Sequence, residues 1–203
     1  MSNGKYRNGS ARLAGYDYSQ PGAYFVTICT GQRMPYFGEI VDGKMIPSDI
    51  GSVTRDEWHK TPAIRPDMNI TLDAFVLMPD HIHGIIIIGE NSYNNVAVGI
   101  GRRATHRAPT DTHGVAVNSF SPQSKNLASI IRGFKSAVTQ FARIHAIEFC
   151  WQPRFYDHII RDDDECNRVR QYIEDNPRRW CERMGTQDGD GYIRYGIEDQ
   201  IKL

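Results

Sequence analysis

The sequence predicts an α+β domain, a mostly antiparallel sheet with helices on one side of it. Three observations carry that expectation. Short runs rich in Val, Ile, Thr, Tyr and Phe recur between Gly, Pro and Asp-Gly signals. Other stretches place apolar residues three and four apart, the period of a half-buried helix. Together the segments run β-ββ-α-ββ-α-β-α, with no internal repeat. With 203 residues, 40% of them hydrophobic, the chain is long enough for one well-buried core and short for two.

The first strand is Tyr24-Phe25-Val26-Thr27-Ile28-Cys29-Thr30, bounded by Pro21-Gly22 and Gly31. A β-hairpin follows over 36–46, where Asp42-Gly43 supplies a two-residue turn. Ser48 caps a helix over 49–60, stopped by Thr61-Pro62. Two strands, 68–77 and 81–88, flank the tight Met78-Pro79-Asp80 link. Residues 90–122 are rich in Gly, Asn, Ser, Thr and Pro and read as a flexible insertion. Over 125–145, Leu127, Ile130, Ile131, Phe134, Val138 and Phe141 recur at helical spacing. An extended stretch over 151–160 is interrupted by Pro153. The last helix starts at Asp162 or Asp163, carries Val169, Tyr172 and Ile173, and closes at Asn176-Pro177. The organisation expected is an arm over 1–22, a domain over 23–180 and a tail over 181–203.

Charge gives no net argument, since 24 basic and 24 acidic residues cancel. Its distribution is uneven. Residues 1–12 carry Lys5, Arg7 and Arg12 without an acid, and 125–143 carry Lys125, Arg132, Lys135 and Arg143 without one. A polarised neutral chain can still offer a basic groove to a phosphate backbone, although solvated helix faces look the same. The four cysteines form no Cys-x-x-Cys pair, the N-terminus is polar, and no apolar run reaches membrane-spanning length. The expectation is a cytoplasmic protein with reduced thiols and no membrane contact.

His81-Ile82-His83 opens the most isoleucine-rich strand. Strand side chains alternate, so both imidazoles share one face and can close on one metal ion. A lone pair of this kind is as often structural as ligating. On the last helix, Tyr172 and Asn176 are four apart and project from one face. If that face covers the strand, a phenol and an amide oxygen meet two imidazoles. Such a set leaves open positions on a divalent ion, which can polarise a phosphoryl oxygen. Oxygen-rich, hydrated coordination suits Mg²⁺ or Mn²⁺. An ordinary tyrosine costs roughly 4 kcal/mol to ionise at pH 7, a barrier a nearby cation lowers. In return, a phosphotyrosine stores a cleaved phosphodiester for rejoining, which water cannot do.

Four ordered segments carry a resemblance: Met78-Pro79-Asp80-His81-Ile82-His83-Gly84, Ile131-Arg132-Gly133-Phe134-Lys135-Ser136, Trp151-Gln152-Pro153-Arg154-Phe155-Tyr156-Asp157-His158 and Tyr172-Ile173-Glu174-Asp175-Asn176-Pro177. With Gly15-Tyr16-Asp17-Tyr18 and Tyr24-Phe25-Val26-Thr27, they make the chain similar to the single-tyrosine HUH transposases, and more narrowly to the REP-associated tyrosine transposases. The likeness spans roughly residues 12–180. It implies a ferredoxin-like HUH fold that binds single-stranded or hairpin DNA. His81 and His83 would be metal ligands with Asn176 as the third, where insertion-sequence relatives carry a glutamine. Tyr172 would be the nucleophile, leaving a 5′-phosphotyrosine and a free 3′-OH. Arg12, Arg102, Arg103, Arg132, Lys135 and Arg154 are the phosphate-contact candidates. The rival readings are a domesticated hairpin-binding protein without catalysis and a phosphodiesterase that uses water. Monomer and homodimer both remain open, and with them whether Tyr172 serves its own chain's histidines.

Overall fold

The computed structural model describes residues 16–94 and 124–185. Among the described residues, six strands and three α-helices follow in chain order: β1 (Gly22–Cys29), β2 (Gly38–Val41), β3 (Lys44–Pro47), α1 (Asp49–Ile64), β4 (Ile70–Met78), β5 (His81–Ile88), α2 (Leu127–Ile144), β6 (Tyr156–Ile160) and α3 (Asp163–Gly185). The main sheet has the order β4-β5-β1-β6, and all of its neighbours are antiparallel. Two interleaved units, β1-α1-β4 and β5-α2-β6, each join parallel strands that have another strand between them. This is the split βαβ arrangement of a ferredoxin-like fold. The β2–β3 hairpin stands apart as a two-stranded insert, its turn made by Asp42 and Gly43, both at positive φ.

The expected α+β class and antiparallel sheet hold, but the helices lie on both sides. Tyr24, Val26 and Ile28 of β1 and Ile82 and Ile86 of β5 pack with Trp58 of α1 and with Leu127, Ile131 and Phe134 of α2. The alternate positions Phe25 and Ile85 pack with Ile160, Val169, Tyr172 and Ile173 under α3. The reason is the composition of β1 and β5, which are apolar at odd and even positions alike. Strands of that kind need cover on both faces.

Local signals explain the boundaries. Ser48 accepts from Gly51 N at 3.1 Å at the start of α1, and Asn126 with Ser129 forms a reciprocal cap on α2. Two prolines expected to stop helices do not. Pro62 lies inside α1, and Arg65 N–H closes on Thr61 O one turn later. Pro177 lies inside α3, which continues to Gly185. A proline removes a single backbone bond, and side chains beyond it can hold the helix on course. Here Arg178 pairs with Glu182, and Trp180 packs 6.2 Å from the His81 ring. At Gly84 a Cβ would lie 2.4 Å from Trp58 Cζ2, so only glycine lets that indole approach the sheet. No helix among the described residues is long and apolar enough to cross a membrane.

Candidate active site

His81 and His83 emerge from β5 on the α3 side of the sheet and are almost fully buried. Their Nε2 atoms face each other at 3.1 Å. Each ring is fixed from behind. Asp80 Oδ1 lies 2.5 Å from His81 Nδ1, and Thr27 Oγ1 lies 2.8 Å from His83 Nδ1. Thr27 can do this because β1 and β5 are in the register Thr27↔His83. The turn that aims Asp80 is clamped in turn. Thr30 N and Oγ1 both donate to Asp80 O at 2.9 Å, and Phe37 N donates to Pro79 O. Arg33 Nη1 approaches Asp80 Oδ2 at 3.4 Å from a turn whose Gln32 and Arg33 both have positive φ.

These bonds bear on whether the pair suits a cation. An Asp80 carboxylate accepts the His81 Nδ1 proton, which leaves the Nε2 lone pair aimed at His83. Where the Thr27 hydroxyl accepts likewise, two lone pairs face each other at 3.1 Å. Adjacent ligands at right angles on an ion with bonds of about 2.1 Å stand about 3.0 Å apart. The residues therefore fit a shared divalent ion, His81 and His83 through Nε2. Carboxylate and hydroxyl support of the far nitrogen is the usual orienting arrangement for such ligands. Among the described residues, no cluster of three His, Cys, Asp or Glu forms. Cys29, opposite His81 in the register, is no thiolate, since burial pushes its thiol up to about 11.

Helix α3 lays Val169, Tyr172, Ile173, Asn176 and Trp180 along one face, the spacing of a buried stripe. The Tyr172 ring lies 5.3 Å from the His83 ring and edge-on to Phe25 at 6.1 Å. Arg179 Cζ sits 5.5 Å from the centre of the Tyr172 ring. The structure thus brings Tyr172 to its own chain's imidazoles. Asn176 is buried on the same stripe, with Nδ2 donating to Tyr172 O at 3.3 Å.

Two ties hold α3 in place. Asp73 sits at the irregularity in β4 between Leu72 and Phe75, which turns its carboxylate toward α3. It takes both Arg170 Nε at 3.0 Å and Nη2 at 2.6 Å. At the helix start, Glu165 accepts from Arg161 N and meets His158 Nε2 at 2.8 Å. His158 is therefore an anchor for α3.

The phosphate-contact candidates divide. Arg132 and Lys135 lie on α2, across the sheet from the imidazoles. Arg154 is exposed in the link before β6. Arg12, Arg102 and Arg103 fall outside the described residues. Sequence reasoning missed Thr27 and Arg33. Asp80 adjoins the pair, but its aim depends on a turn, and Thr27 requires the strand register.

No known family description matches the chain. It is 35% identical over 178 residues to an uncharacterised protein of Haemophilus influenzae, covering 87% of this chain and 92% of that one. Its fold is similar to that of a REP-associated tyrosine transposase bound to a REP hairpin. That likeness has a TM-score of 0.51 and 19% identity, and covers 83% of this chain and 73% of the other.

Proposed function

Because the chain belongs to one family with its Haemophilus influenzae relative and has the fold of a REP-associated tyrosine transposase, we propose that it is a transposase-type enzyme. It cuts and rejoins single-stranded DNA at the foot of a hairpin, with Tyr172 as nucleophile. The observation that carries this reading is the 5.3 Å approach of the Tyr172 ring to an imidazole pair set for a shared cation. Tyr172 Oη attacks the phosphorus, an Oη–P bond forms, and the P–O3′ bond breaks. The phenol gives up its proton and the departing 3′ oxygen takes one up, so the step is balanced. Rejoining reverses it with another 3′-OH, which the stored phosphotyrosine allows without ATP.

His81, His83 and Asn176 would hold Mg²⁺ or Mn²⁺, which would supply polarisation of the phosphoryl group whose phosphorus Tyr172 attacks. Asp80 and Thr27 orient the two rings. Arg179 lies over the face of the phenol ring, its Cζ 5.5 Å from the ring centre, and helps hold it in place. Phe25 and Val169 keep the ring in register by packing, and the Asp73–Arg170 tie holds the helix that carries it.

Burial supports a second reading. Tyr172 is 9% exposed and both imidazoles less than that, an arrangement that suits a protein binding hairpins without cutting them. A denaturing gel with a labelled hairpin oligonucleotide and Mn²⁺ separates the two. The enzyme yields a covalent protein–DNA band that EDTA removes. Tyr172→Phe loses that band while hairpin binding stays within about twofold. A band of undiminished intensity from Tyr172→Phe eliminates the tyrosine assignment, and cleaved product without any band indicates attack by water.

A further inference from the structure

The outer side of α2 takes no part in that chemistry. Arg132, Lys135, Ser136, Thr139, Gln140 and Arg143 line an open groove of about 520 Å³. They recur at three and four, so they form one row along the helix, about 16 Å from Arg132 to Arg143 at 1.5 Å per residue. The row holds three cations, two hydroxyls and an amide. No carboxylate occurs anywhere from residue 125 to residue 145. The other helices mix acids with their bases in sequence: Glu57 lies beside Lys60 on α1, and Asp175 and Glu182 beside Arg178 and Arg179 on α3.

The row also lacks a surface on which bases could stack. Phe134, Val138 and Ala142 turn into the core, and Phe141 lies against His145 at 4.1 Å. Trp151 is used from beneath, its Nε1 donating to Lys135 O at 3.1 Å. Single-strand sites combine cations with exposed aromatic rings, whereas contacts to a duplex backbone need donors alone. The α2 row offers its three cations, the Ser136 hydroxyl and the Gln140 amide, while Thr139 gives its hydroxyl proton to Lys135 O at 2.8 Å.

A short rim links this row to the imidazoles on the other face. Lys135 Nζ donates to Gln152 O at 2.5 Å, Gln152 N to Cys29 O, and Thr30 N to Asp80 O. Asp80 then meets His81, with Arg33 beside it.

We propose that the α2 row tracks the phosphates of a hairpin's duplex stem, and that the strand at its foot rounds the Thr30–Trp151 rim to reach the imidazoles. The location of the stem is new. Only the fate of the foot rests on the reading above.

The test measures binding of a fluorescent DNA hairpin, with a stem of roughly twelve base pairs and a short single-stranded foot, across a series of salt concentrations. A thymidine single strand of similar length is the second probe. Arg132→Ala/Arg143→Ala removes two exposed side chains from the full chain, and an unchanged melting temperature confirms its fold. Each lost phosphate contact lowers the slope of log affinity against log salt by about 0.9. The double variant is expected to lose about 1.8 of that slope on the hairpin, bind it roughly tenfold more weakly, and keep its slope on the single strand. Arg55→Ala/Lys60→Ala, which removes equal charge from α1, is expected to change neither.

An unaltered hairpin slope overturns the track, as does an equal loss on the single strand or in the α1 variant. So does a wild-type chain that binds no hairpin. The covalent band reads the other proposal independently. A slope that depends on α2 without any band upholds the track and defeats the nuclease. A band without such a slope does the reverse.

Discussion

Along β5, Ile82, Gly84 and Ile86 face α1 and α2, while His81, His83 and Ile85 face α3. The first face is a largely apolar core closed by Trp58, whose indole stacks on Phe75 at 5.3 Å, meets Phe134 edge-on at 5.6 Å and buries its Nε1 without a hydrogen-bond partner among the described residues. The second buries Thr27, His81, His83 and Asn176, and each of these has a bonding partner on that side. Buried polar groups cost free energy unless they are bonded, so this face spends its contacts on orientation. Stability and chemistry are thus divided between the two sides of one sheet. Either can change without the other, provided the strands stay in register.

The largest effect that would sharpen this division is on the apolar side. Trp58→Ala is expected to cost about 3–5 kcal/mol, much of the margin of a domain of this size. Tyr172→Phe, across the sheet, is expected to cost about 1 kcal/mol or less, since it removes one hydroxyl from a packed ring. Urea unfolding of both variants decides the matter, and equal losses would break the division.

Next in size is Asp80→Asn, which keeps the shape of the turn and removes the carboxylate behind His81. Partners of this kind are worth about 10–100-fold in metal affinity. Titration calorimetry with Mn²⁺ is expected to show a loss in that range, with the melting temperature nearly unchanged. Thr27→Val is expected to cost less, since the bond it removes joins two neutral groups. An Asp80→Asn affinity within twofold of wild type would remove Asp80 from the site.

What the sequence showed depends on how local each signal is. Alternation along a strand is fixed by the pleat, so the shared face of His81 and His83 was legible from two letters and a spacer. The four-residue spacing of Tyr172 and Asn176 on α3 was legible for the same reason. Asp42-Gly43 specified its own turn. The side of the sheet that α3 covers was not, because both faces of β1 and β5 are apolar and alternation alone favours neither. Register was equally hidden. It alone sets Thr27 against His83, and nothing within β1 marks that threonine. Arg33 meets Asp80 only through the fold, 47 residues along the chain. Pro177 misled because a proline signals a lost bond, whereas Trp180 and the Arg178–Glu182 pair decide whether the helix goes on.

A smaller effect probes α2 against α3. Burial pushes the Lys135 ammonium down to about 8, with Trp151 beneath it. Between pH 7 and 9 it therefore loses most of its charge, while Arg132 and Arg143 keep theirs. The hairpin salt slope is expected to fall by about 0.9 over that interval in the wild type and to stay constant in Lys135→Arg. A slope that falls equally in both would assign the change to another group.

The smallest effect asks whether α3 comes off by itself. Asp73 and Arg170 tie it to β4, with side chains 21% and 42% exposed, and a pair that open to water is worth about 0.2–1 kcal/mol. The Arg170 guanidinium holds the Asp73 carboxyl below its usual 3.8. Its contribution is therefore complete above that pH and is lost as acid protonates the folded form. Asp73→Asn should reproduce the acid effect at neutral pH. Hydrogen exchange is expected to show faster exchange of α3 amides and little change in α2, because the apolar stripe of Val169, Tyr172 and Ile173 still docks the helix, only more loosely. Equal acceleration in both helices would mean that the two faces unfold as one unit, and that the polar side supports the apolar side more than its contacts suggest.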